Sequence, residues 1–267
     1  MIEVLVPVHT ELPDKPQERR HAPKGSWRLA RACLRWDFGF TCPFCMLHEA
    51  DLSEHGADGE GMIWIEHLEP RSTHHALRDA YTNITFSCRY CNQSRKTQPR
   101  VDSRGRRLLD PCQDAWAEHF AWQGDLIIRS RPGDGDAAYT HTAYKLNEEK
   151  KLTRRRWRKE LIENSQQLIQ ELSPAIDTWQ LRLQAAREAK DIAGMKKALA
   201  QLRKWSPHLR QAVKLLRRFR AIPKDAPERC RCDTSENRTL PSWLDRQTVQ
   251  VNLPAVDEHK DTEIGDP

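Results

Sequence analysis

Four of the eight cysteines in this 267-residue chain fall in two C-x₂-C pairs, Cys42 with Cys45 and Cys88 with Cys91. Two thiolates at this spacing can grip one metal ion, and a second pair completes a tetrahedral site with no open position. The pattern therefore predicts a structural Zn²⁺ held by four thiolates, with four ordinary buried cysteines as the alternative. Between the pairs lie 42 residues, more than a compact zinc ribbon contains, so a further structure must be inserted there.

The remaining cysteines carry weaker signals. Cys230 and Cys232 form a C-x-C pair with only His259 as a candidate partner nearby, and we interpret this pair as unrelated to metal. Cys33 and Cys112 are expected to be small core residues. The N-terminus lacks the basic start and long apolar segment of a signal peptide, so we expect a cytoplasmic protein with reduced thiols.

A strand is predicted over residues 61–68, where β-branched and aromatic residues follow a glycine-rich loop, and it carries Glu66 and His67 near its end. A Glu-His pair on its own is usually a surface accident, and Glu118-His119 is interpreted in that way. The other histidines near the motif are assigned to loops rather than to metal sites: His48, His55, His74 and His75.

Two asparagines occupy defined places in the same stretch. Asn83 opens a second extended segment at 83–88, and Asn92 directly follows Cys91 in a helix expected over 90–97. An asparagine amide can orient a neighbouring group by hydrogen bonding, or offer its oxygen to a cation. The stretch therefore combines a carboxylate, an imidazole and two amides between and beside the cysteine pairs.

The pattern across residues 40–97 resembles the HNH (His-Asn-His) endonuclease superfamily, whose fold is a ββα-metal finger. That family places an acidic residue and a histidine at a strand end, then a proline, a central asparagine, and a C-x₂-C pair followed at once by histidine or asparagine. Two features depart from the commoner pattern: glutamate replaces aspartate, and the final position is asparagine rather than histidine. Both residues still offer oxygen ligands, which favours a hard ion such as Mg²⁺. The matching residues are Glu66, His67, Pro70, Asn83, Cys88, Cys91 and Asn92.

The resemblance implies a role for each residue of the motif. His67 is the expected general base that activates water, and Glu66 and Asn92 are the expected ligands of Mg²⁺ or another catalytic divalent ion. Asn83 is expected to orient the His67 ring through a backbone contact without touching the metal. Four cations near the motif are further candidates, for binding nucleic-acid phosphates: Arg71, Arg89, Arg95 and Lys96.

The segment after the predicted finger has a weaker resemblance to HNH nucleases of Septu-type and retron defence systems. In that subgroup an "LLDP…HF…G" stretch and an "LN…L…R" helix follow the finger. The resemblance implies anti-phage defence and an ATPase partner protein. The matching residues are Leu108 to Pro111, His119-Phe120, Gly124, Leu146-Asn147, Leu152, and Arg155 or Arg156.

Positive charge is concentrated in one part of the chain: residues 151–222 have a net charge of +12, against −2 for residues 1–150. This segment suggests a polyanion partner, most simply nucleic acid, with a solvated basic surface as the alternative. Apolar residues recur there every three or four positions, which predicts helices. The predicted helices are 145–172, 175–203 with an interruption near Gly194 left open, and 207–220, with Pro174 and Pro207 as breaks and Ser173 and Ser206 as caps.

The expected fold class is α+β, a small zinc-stabilised ββα-metal finger followed by a mainly α-helical basic region. A strand is expected from Ile2 to Val8 and a short helix over 26–37 with Ser26 as its cap. No run of about 18 apolar residues occurs, so no membrane span is expected. The expected divisions are an N-terminal strand, linker and short helix at 1–39, the nuclease finger at 40–112, the helical basic region at 113–222 and a loosely ordered tail at 223–267.

The sequence thus predicts a metal-dependent HNH endonuclease that hydrolyses phosphodiester bonds in DNA, with RNA left open as a substrate. The alternative is a non-catalytic zinc module that binds nucleic acid or protein. Glu66 and His67 favour the nuclease, because a pure zinc module has no need of that pair beside Asn83 and Asn92. Since an unrestrained nuclease is toxic to its host, a gating partner or a narrow target is also predicted.

Overall fold

The structure of the chain is a computed structural model, which describes residues 2–6, 12–21, 23, 25–52, 62–96, 98–218, 226, 232 and 247–251. The predictions for His55, Cys230 and His259, and most of the predicted tail, lie outside these residues. Two compact units divide the chain. The cysteine unit comprises residues 7–159 and 219–247, and the helical unit comprises residues 1–6, 160–218 and 248–267.

Short strands and helices alternate through the cysteine unit, whereas two long helices dominate the helical unit. The fold class is mixed α and β, as predicted, and the strands form two-stranded sheets in which β1 pairs with β6, β2 with β3 and β4 with β5. In chain order the elements are β1 (Ile2–Val6), α1 (Arg31–Asp37), α2 (Glu49–Leu52), β2 (Ile63–His67), β3 (Ile84–Cys88), α3 (Arg89–Arg95), α4 (Trp116–His119), β4 (Phe120–Gln123), β5 (Ile127–Ser130), α5 (Gly135–Ala143), α6 (Glu149–Glu188), α7 (Ile192–Arg218) and β6 (Gln247–Val251).

The hairpin that carries the motif consists of β2 and β3, and α3 follows it without a loop. The strands are antiparallel, with Ile63 opposite Cys88 and His67 opposite Ile84. Every residue of β3 is buried, because this strand packs against the core on one side and lies under α1 and α3. The predicted order of strand, strand and helix is confirmed, with ends that differ by one or two residues.

Aromatic rings fill the core of the cysteine unit next to the cysteines. Phe44, which lies between Cys42 and Cys45, stacks on Tyr144 at a centroid distance of 4.0 Å. Trp116 meets the edge of Phe44 at 6.2 Å. Burial of three large rings contributes several kcal/mol of hydrophobic free energy, roughly 2 kcal/mol for each ring. The first C-x₂-C pair is therefore anchored by its own intervening residue.

The helix breaks predicted at the two prolines were wrong. Pro174 lies inside α6 and Pro207 inside α7, and neither Ser173 nor Ser206 acts as a cap, since neither hydroxyl has a hydrogen-bond partner. An interior proline removes one backbone donor and strains one turn, which is a local cost. Apolar side chains buried on both sides of each proline keep these helices continuous: Leu172 and Ile176 around Pro174, and Leu202 and Leu209 around Pro207.

The true break lies between α6 and α7 at Lys190, close to the Gly194 interruption that the sequence left open. The amide of Lys190 donates to the carbonyl of Arg187, and the amide of Asp191 donates to that of Ala186. This pair of bonds is a Schellman ending, which needs a left-handed residue, and Lys190 has φ +54°. A side-chain oxygen of Asp191 then accepts from the amide of Gly194 and opens α7.

The predicted first helix also begins differently. A 3₁₀ turn at Trp27–Ala30 precedes α1, and the side chain of Ser26 makes no capping hydrogen bond. Among the described residues, no helix combines the length and apolarity that crossing a membrane requires.

Substitution of Lys190 by glycine should stabilise the helical unit by about 1 kcal/mol, because glycine adopts positive φ without the Cβ clash. The thermal unfolding midpoint followed by circular dichroism should rise by a few degrees. Lys190→Ala is the matched control and should give no rise, since it removes the charge but keeps the Cβ. Equal midpoints for the glycine and alanine variants would contradict the strain at this turn.

Candidate active site and metal centre

Cys42, Cys45, Cys88 and Cys91 come together in the core of the cysteine unit. All four are fully buried, and their sulfur atoms lie within 4.8 Å of one another. The sulfur atoms of Cys45 and Cys88 are 3.6 Å apart, far beyond the roughly 2.05 Å of a disulfide bond. The four thiols are free and lie at distances that suit ligation of one metal ion. The predicted gathering of the two pairs is confirmed.

Local backbone turns direct the sulfur atoms inward. In the first pair the amide of Met46 donates to the carbonyl of Cys42 at 2.9 Å, and Met46 has φ +61°, which reverses the chain tightly. In the second pair Cys88 ends β3 and caps α3, where its sulfur accepts from the amide of Cys91 at 3.4 Å. Each pair is therefore a compact turn with two thiols on its inner side.

Two buried cations flank the cysteine cluster, and both come from the first turns of α6. The Nζ of Lys151 is fully buried and donates to the carbonyls of Tyr144 and Lys145 at 2.5 and 3.0 Å. Arg155 donates to the carbonyl of Cys45 at 2.8 Å. Although burial alone would lower the pKa of Lys151, the four nearby cysteine sulfurs raise it above its ordinary value. Part of the positive charge of the 151–222 segment therefore faces the core and not a partner.

The pKa values of three cysteines in the cluster are shifted in different directions. Burial would raise the pKa of Cys45, yet hydrogen bonds from Cys42, Cys88 and Cys91 lower it well below its ordinary value. Burial raises the pKa values of Cys88 and Cys91. Because metal ligands are thiolates, binding of a divalent ion to the cluster would release thiol protons.

Glu66, near the end of β2, faces α3 and pairs with two of its residues. One carboxylate oxygen accepts from Arg95 at 2.5 Å, and the other accepts from the amide nitrogen of Asn92. Arg95 also donates to the backbone carbonyls of His67 and Leu68. Burial raises the pKa of Glu66, although Arg95 and Asn92 favour its ionised form. These bonds tie the strand to the helix.

His67 is half-buried and held on two sides. Its Nε2 lies 3.0 Å from the backbone carbonyl of Arg78, and its ring makes a T-shaped contact with that of Trp27 at a centroid distance of 5.3 Å. A carbonyl can only accept, so Nε2 carries the proton and Nδ1 keeps a lone pair. Burial lowers the pKa of His67, which favours this neutral form near pH 7.

The buried side chain of Asn83 holds the loop between β2 and β3 through hydrogen bonds to the loop backbone. Its amide oxygen accepts from the amide of Glu69 at 2.7 Å, and its amide nitrogen donates to the carbonyls of Glu69 and Leu77 at 3.1 and 3.0 Å. Leu77 directly precedes Arg78, whose carbonyl meets His67. The loop backbone from Leu77 to Arg78 therefore connects Asn83 with His67.

A cleft of about 720 Å³ gathers most of the predicted site residues. Glu66, His67 and Asn92 line it together, whereas Asn83 lies buried behind the loop. Among the predicted phosphate-binding cations, Arg71 and Lys96 are exposed in the cleft. Arg95 differs from the expectation, because it is buried against Glu66, whereas Arg89 is exposed and lies over the ring of Trp64 at 5.8 Å.

Several residues that line the cleft escaped sequence reasoning. Trp64 and Arg31 carry no motif, although the two-residue spacing from Trp64 to Glu66 on a strand could have placed Trp64 on the same face. Trp27 and Arg28 lie about 40 residues before the motif, and nothing local connects them with it. They reach the cleft because the amide of Trp27 donates to the carboxylate of Asp79 at 3.1 Å.

The segment that resembles the defence-system nucleases packs against the core that contains the cysteine cluster. Leu109, Phe120 and Leu146 belong to the same buried core as the four cysteines. The side chain of Asn147 exchanges hydrogen bonds with the backbone of Ile128 at 3.0 and 2.7 Å. Packing and backbone hydrogen bonds hold these residues within the cysteine unit.

No known protein family, characterised protein or solved structure matches the chain.

The full-length chain should retain about one metal ion per molecule after purification, as four thiolates at this spacing bind a single ion. Cys88→Ser should lose the ion and destabilise the cysteine unit, whereas Cys112→Ser, which alters a cysteine outside the cluster, should keep it. Metal content by mass spectrometry and the unfolding midpoint give the two measurements. Retention of the ion by Cys88→Ser would contradict four-thiolate binding.

Asn83→Ala should lower stability by about 2 kcal/mol, because it leaves the partners of three hydrogen bonds unsatisfied in a buried loop. Thr82→Ala, at the exposed neighbouring position, is the control and should change stability little. Chemical denaturation measures both variants. A change of equal size in the two would mean that the amide of Asn83 does not hold the loop.

Proposed function

We propose that the chain is a metal-dependent HNH-type endonuclease that hydrolyses phosphodiester bonds in DNA. The observation that carries the proposal is the convergence of His67, Glu66 and Asn92 on one cleft rimmed by exposed cations. Hydrolysis of a phosphodiester needs a base for water and neutralisation of charge on the departing oxygen. A buried structural role alone would not require His67 to lie open to that cleft.

His67 is the proposed general base. Because its Nε2 donates to the carbonyl of Arg78, the lone pair of Nδ1 is the atom that accepts a proton from water. The contacts with Arg78 and Trp27 fix the ring without occupying both nitrogens. Asn83 has the positioning role that the family resemblance implies, through the backbone from Leu77 to Arg78.

Glu66 and Asn92 are the proposed ligands of a catalytic divalent ion, of which Mg²⁺ suits them best. The Asn92 amide presents its nitrogen to the Glu66 carboxylate, and a half-turn of that amide would place a second hard oxygen beside the first. The donor set therefore fits a small hard cation. Such an ion, when bound, supplies neutralisation of charge on the phosphate and the departing oxygen.

Zn²⁺ is the ion proposed for the cysteine cluster. Tetrahedral ligation at a metal–sulfur distance of about 2.3 Å separates the sulfurs by about 3.8 Å, which agrees with the 3.6 Å between Cys45 and Cys88. Four thiolates and one divalent ion leave two negative charges. Lys151 and Arg155, buried beside the cluster, offset them.

The exposed cations support a nucleic-acid substrate. Arg28, Arg71 and Lys96 line the cleft with their side chains open to solvent, where they can contact phosphates on either side of the scissile bond. Deoxyribose and ribose strands share this phosphate chemistry, so RNA belongs in the assay beside DNA.

One observation favours the alternative, a non-catalytic zinc module. Arg95 already neutralises Glu66 at 2.5 Å, as it would in a purely structural ion pair between a strand and a helix. Under this alternative the cleft binds nucleic acid or protein without cleaving it.

Nicking of supercoiled plasmid by the full-length chain with Mg²⁺ tests the proposal. His67→Ala should lower the nicking rate at least about 100-fold, the usual contribution of a positioned base. His75→Ala is the matched control, since His75 lies exposed in the neighbouring loop, and it should retain the rate. RNA of the same sequence is assayed in parallel.

Equal rates for wild type and His67→Ala would refute catalysis by this cleft. Nucleic-acid binding without any metal-dependent cleavage of DNA or RNA would support the non-catalytic module instead.

A further inference from the structure

Two tryptophans line the same cleft as the proposed catalytic residues. Trp64 lies two residues before Glu66 on β2, so both side chains project from the same face of the strand, about 7 Å apart. Its side chain is 38% exposed, although its neighbour Ile63 is fully buried. Trp27 lines the same cleft, and its ring makes a T-shaped contact with that of His67. The proposed catalytic residues therefore share the cleft with two partly exposed indole rings.

Arginine side chains lie close to both tryptophan rings. The guanidinium groups of Arg28 and Arg71 lie 5.5 and 5.4 Å from the centre of the Trp27 ring, and Arg89 lies 5.8 Å from that of Trp64. Proteins bind single-stranded nucleic acid through alternating cationic and aromatic side chains, because the cations contact the phosphates while the bases stack on the rings. The chemistry of the cleft matches both parts of an unpaired nucleotide.

The need for an unpaired base distinguishes binding of a single strand from binding of a duplex. In a duplex the base faces are covered by neighbouring pairs, so an aromatic side chain can stack on a base only if that base is unpaired or displaced. The cleft, at about 720 Å³, falls within the range of pockets that enclose a small ligand. Phosphate binding alone would use the cations and would not require the large exposed ring of Trp64 in the cleft.

We propose that this cleft binds unpaired nucleotides, with Trp64 as a stacking surface beside the scissile phosphate, so that the enzyme acts on single-stranded or locally opened DNA in preference to closed duplex. This inference rests on the proposed nuclease function for its second half. The binding preference itself is independent of catalysis and can be measured without a divalent ion.

The binding test uses the full-length chain and fluorescence anisotropy of a labelled oligonucleotide, offered as a single strand, as a duplex with its complement, and as a strand with abasic sites in place of bases. The single strand should bind tightest, and Trp64→Ala should weaken its binding roughly tenfold, the usual effect of losing one base–aromatic stack. Trp64→Phe should recover most of the loss. Binding of the abasic strand should be weak and insensitive to Trp64.

Trp179→Ala is the matched control, because Trp179 also pairs with an arginine, Arg182 at 4.5 Å, but belongs to the helical unit. It should bind the single strand like wild type, and circular dichroism should find both alanine variants folded. Unchanged affinity in Trp64→Ala, or equal affinity for abasic and normal strands, would overturn the stacking role.

Cleavage with Mg²⁺ separates the two proposals. Faster cleavage of the single strand than of the duplex, with the preference reduced in Trp64→Ala, is the expected result. Cleavage of duplex and single strand at equal rates in both proteins would keep the nuclease and overturn the strand preference. Binding that depends on Trp64, without cleavage of any strand, would keep the binding site and overturn the nuclease.

Discussion

Four buried sulfur atoms impose the constraint on which the rest of the cysteine unit depends. Ionised thiols this close would repel one another, and burial would make each charge costly, so a metal ion bound among them, with positive charge around it, would offset both effects. The first turns of α6 supply the surrounding charge, through Lys151 and Arg155. The constraint thereby joins segments that are far apart in the sequence: the turn at Cys42, the hairpin end at Cys88 and the start of α6.

The positions of the cleft residues follow from this constraint. β3 ends at Cys88 in the cluster, and its register with β2 sets Glu66 opposite Thr85. α3 starts directly after Cys88, so its first two turns face back across the hairpin and bring Asn92 onto the Glu66 carboxylate. The distances between the cleft residues thus depend on the spacing of the four sulfur atoms and on the register of one antiparallel strand pair. Both are more constrained than the geometry of a long loop.

The cysteine cluster and the strand–strand–helix order could be predicted from sequence because their signals are local: a two-residue spacing, a β-branched run, and a helix start at a cysteine. The pairing of Arg95 could not, because the same residue could equally have faced solvent, and its partner Glu66 lies 29 residues away. Trp27 was missed for the same reason. The helix breaks at the prolines were predicted wrongly because proline disfavours a helix interior locally, whereas packing keeps these two long helices continuous. Helix α6 ends instead at Lys190, whose positive φ is not indicated by any sequence pattern.

Arg95 has two opposing effects on Glu66. Burial raises the pKa of Glu66, and the Arg95 guanidinium opposes that rise by favouring the ionised carboxylate. If Glu66 ligates a divalent ion as proposed, the same guanidinium would repel that cation, and the carboxylate oxygen that accepts from Asn92 would be the one left for it. The ion would then bind more weakly to Glu66 and Asn92 alone, and a phosphate oxygen of the substrate would strengthen its coordination. Under the proposed function, metal binding would therefore depend on the presence of substrate.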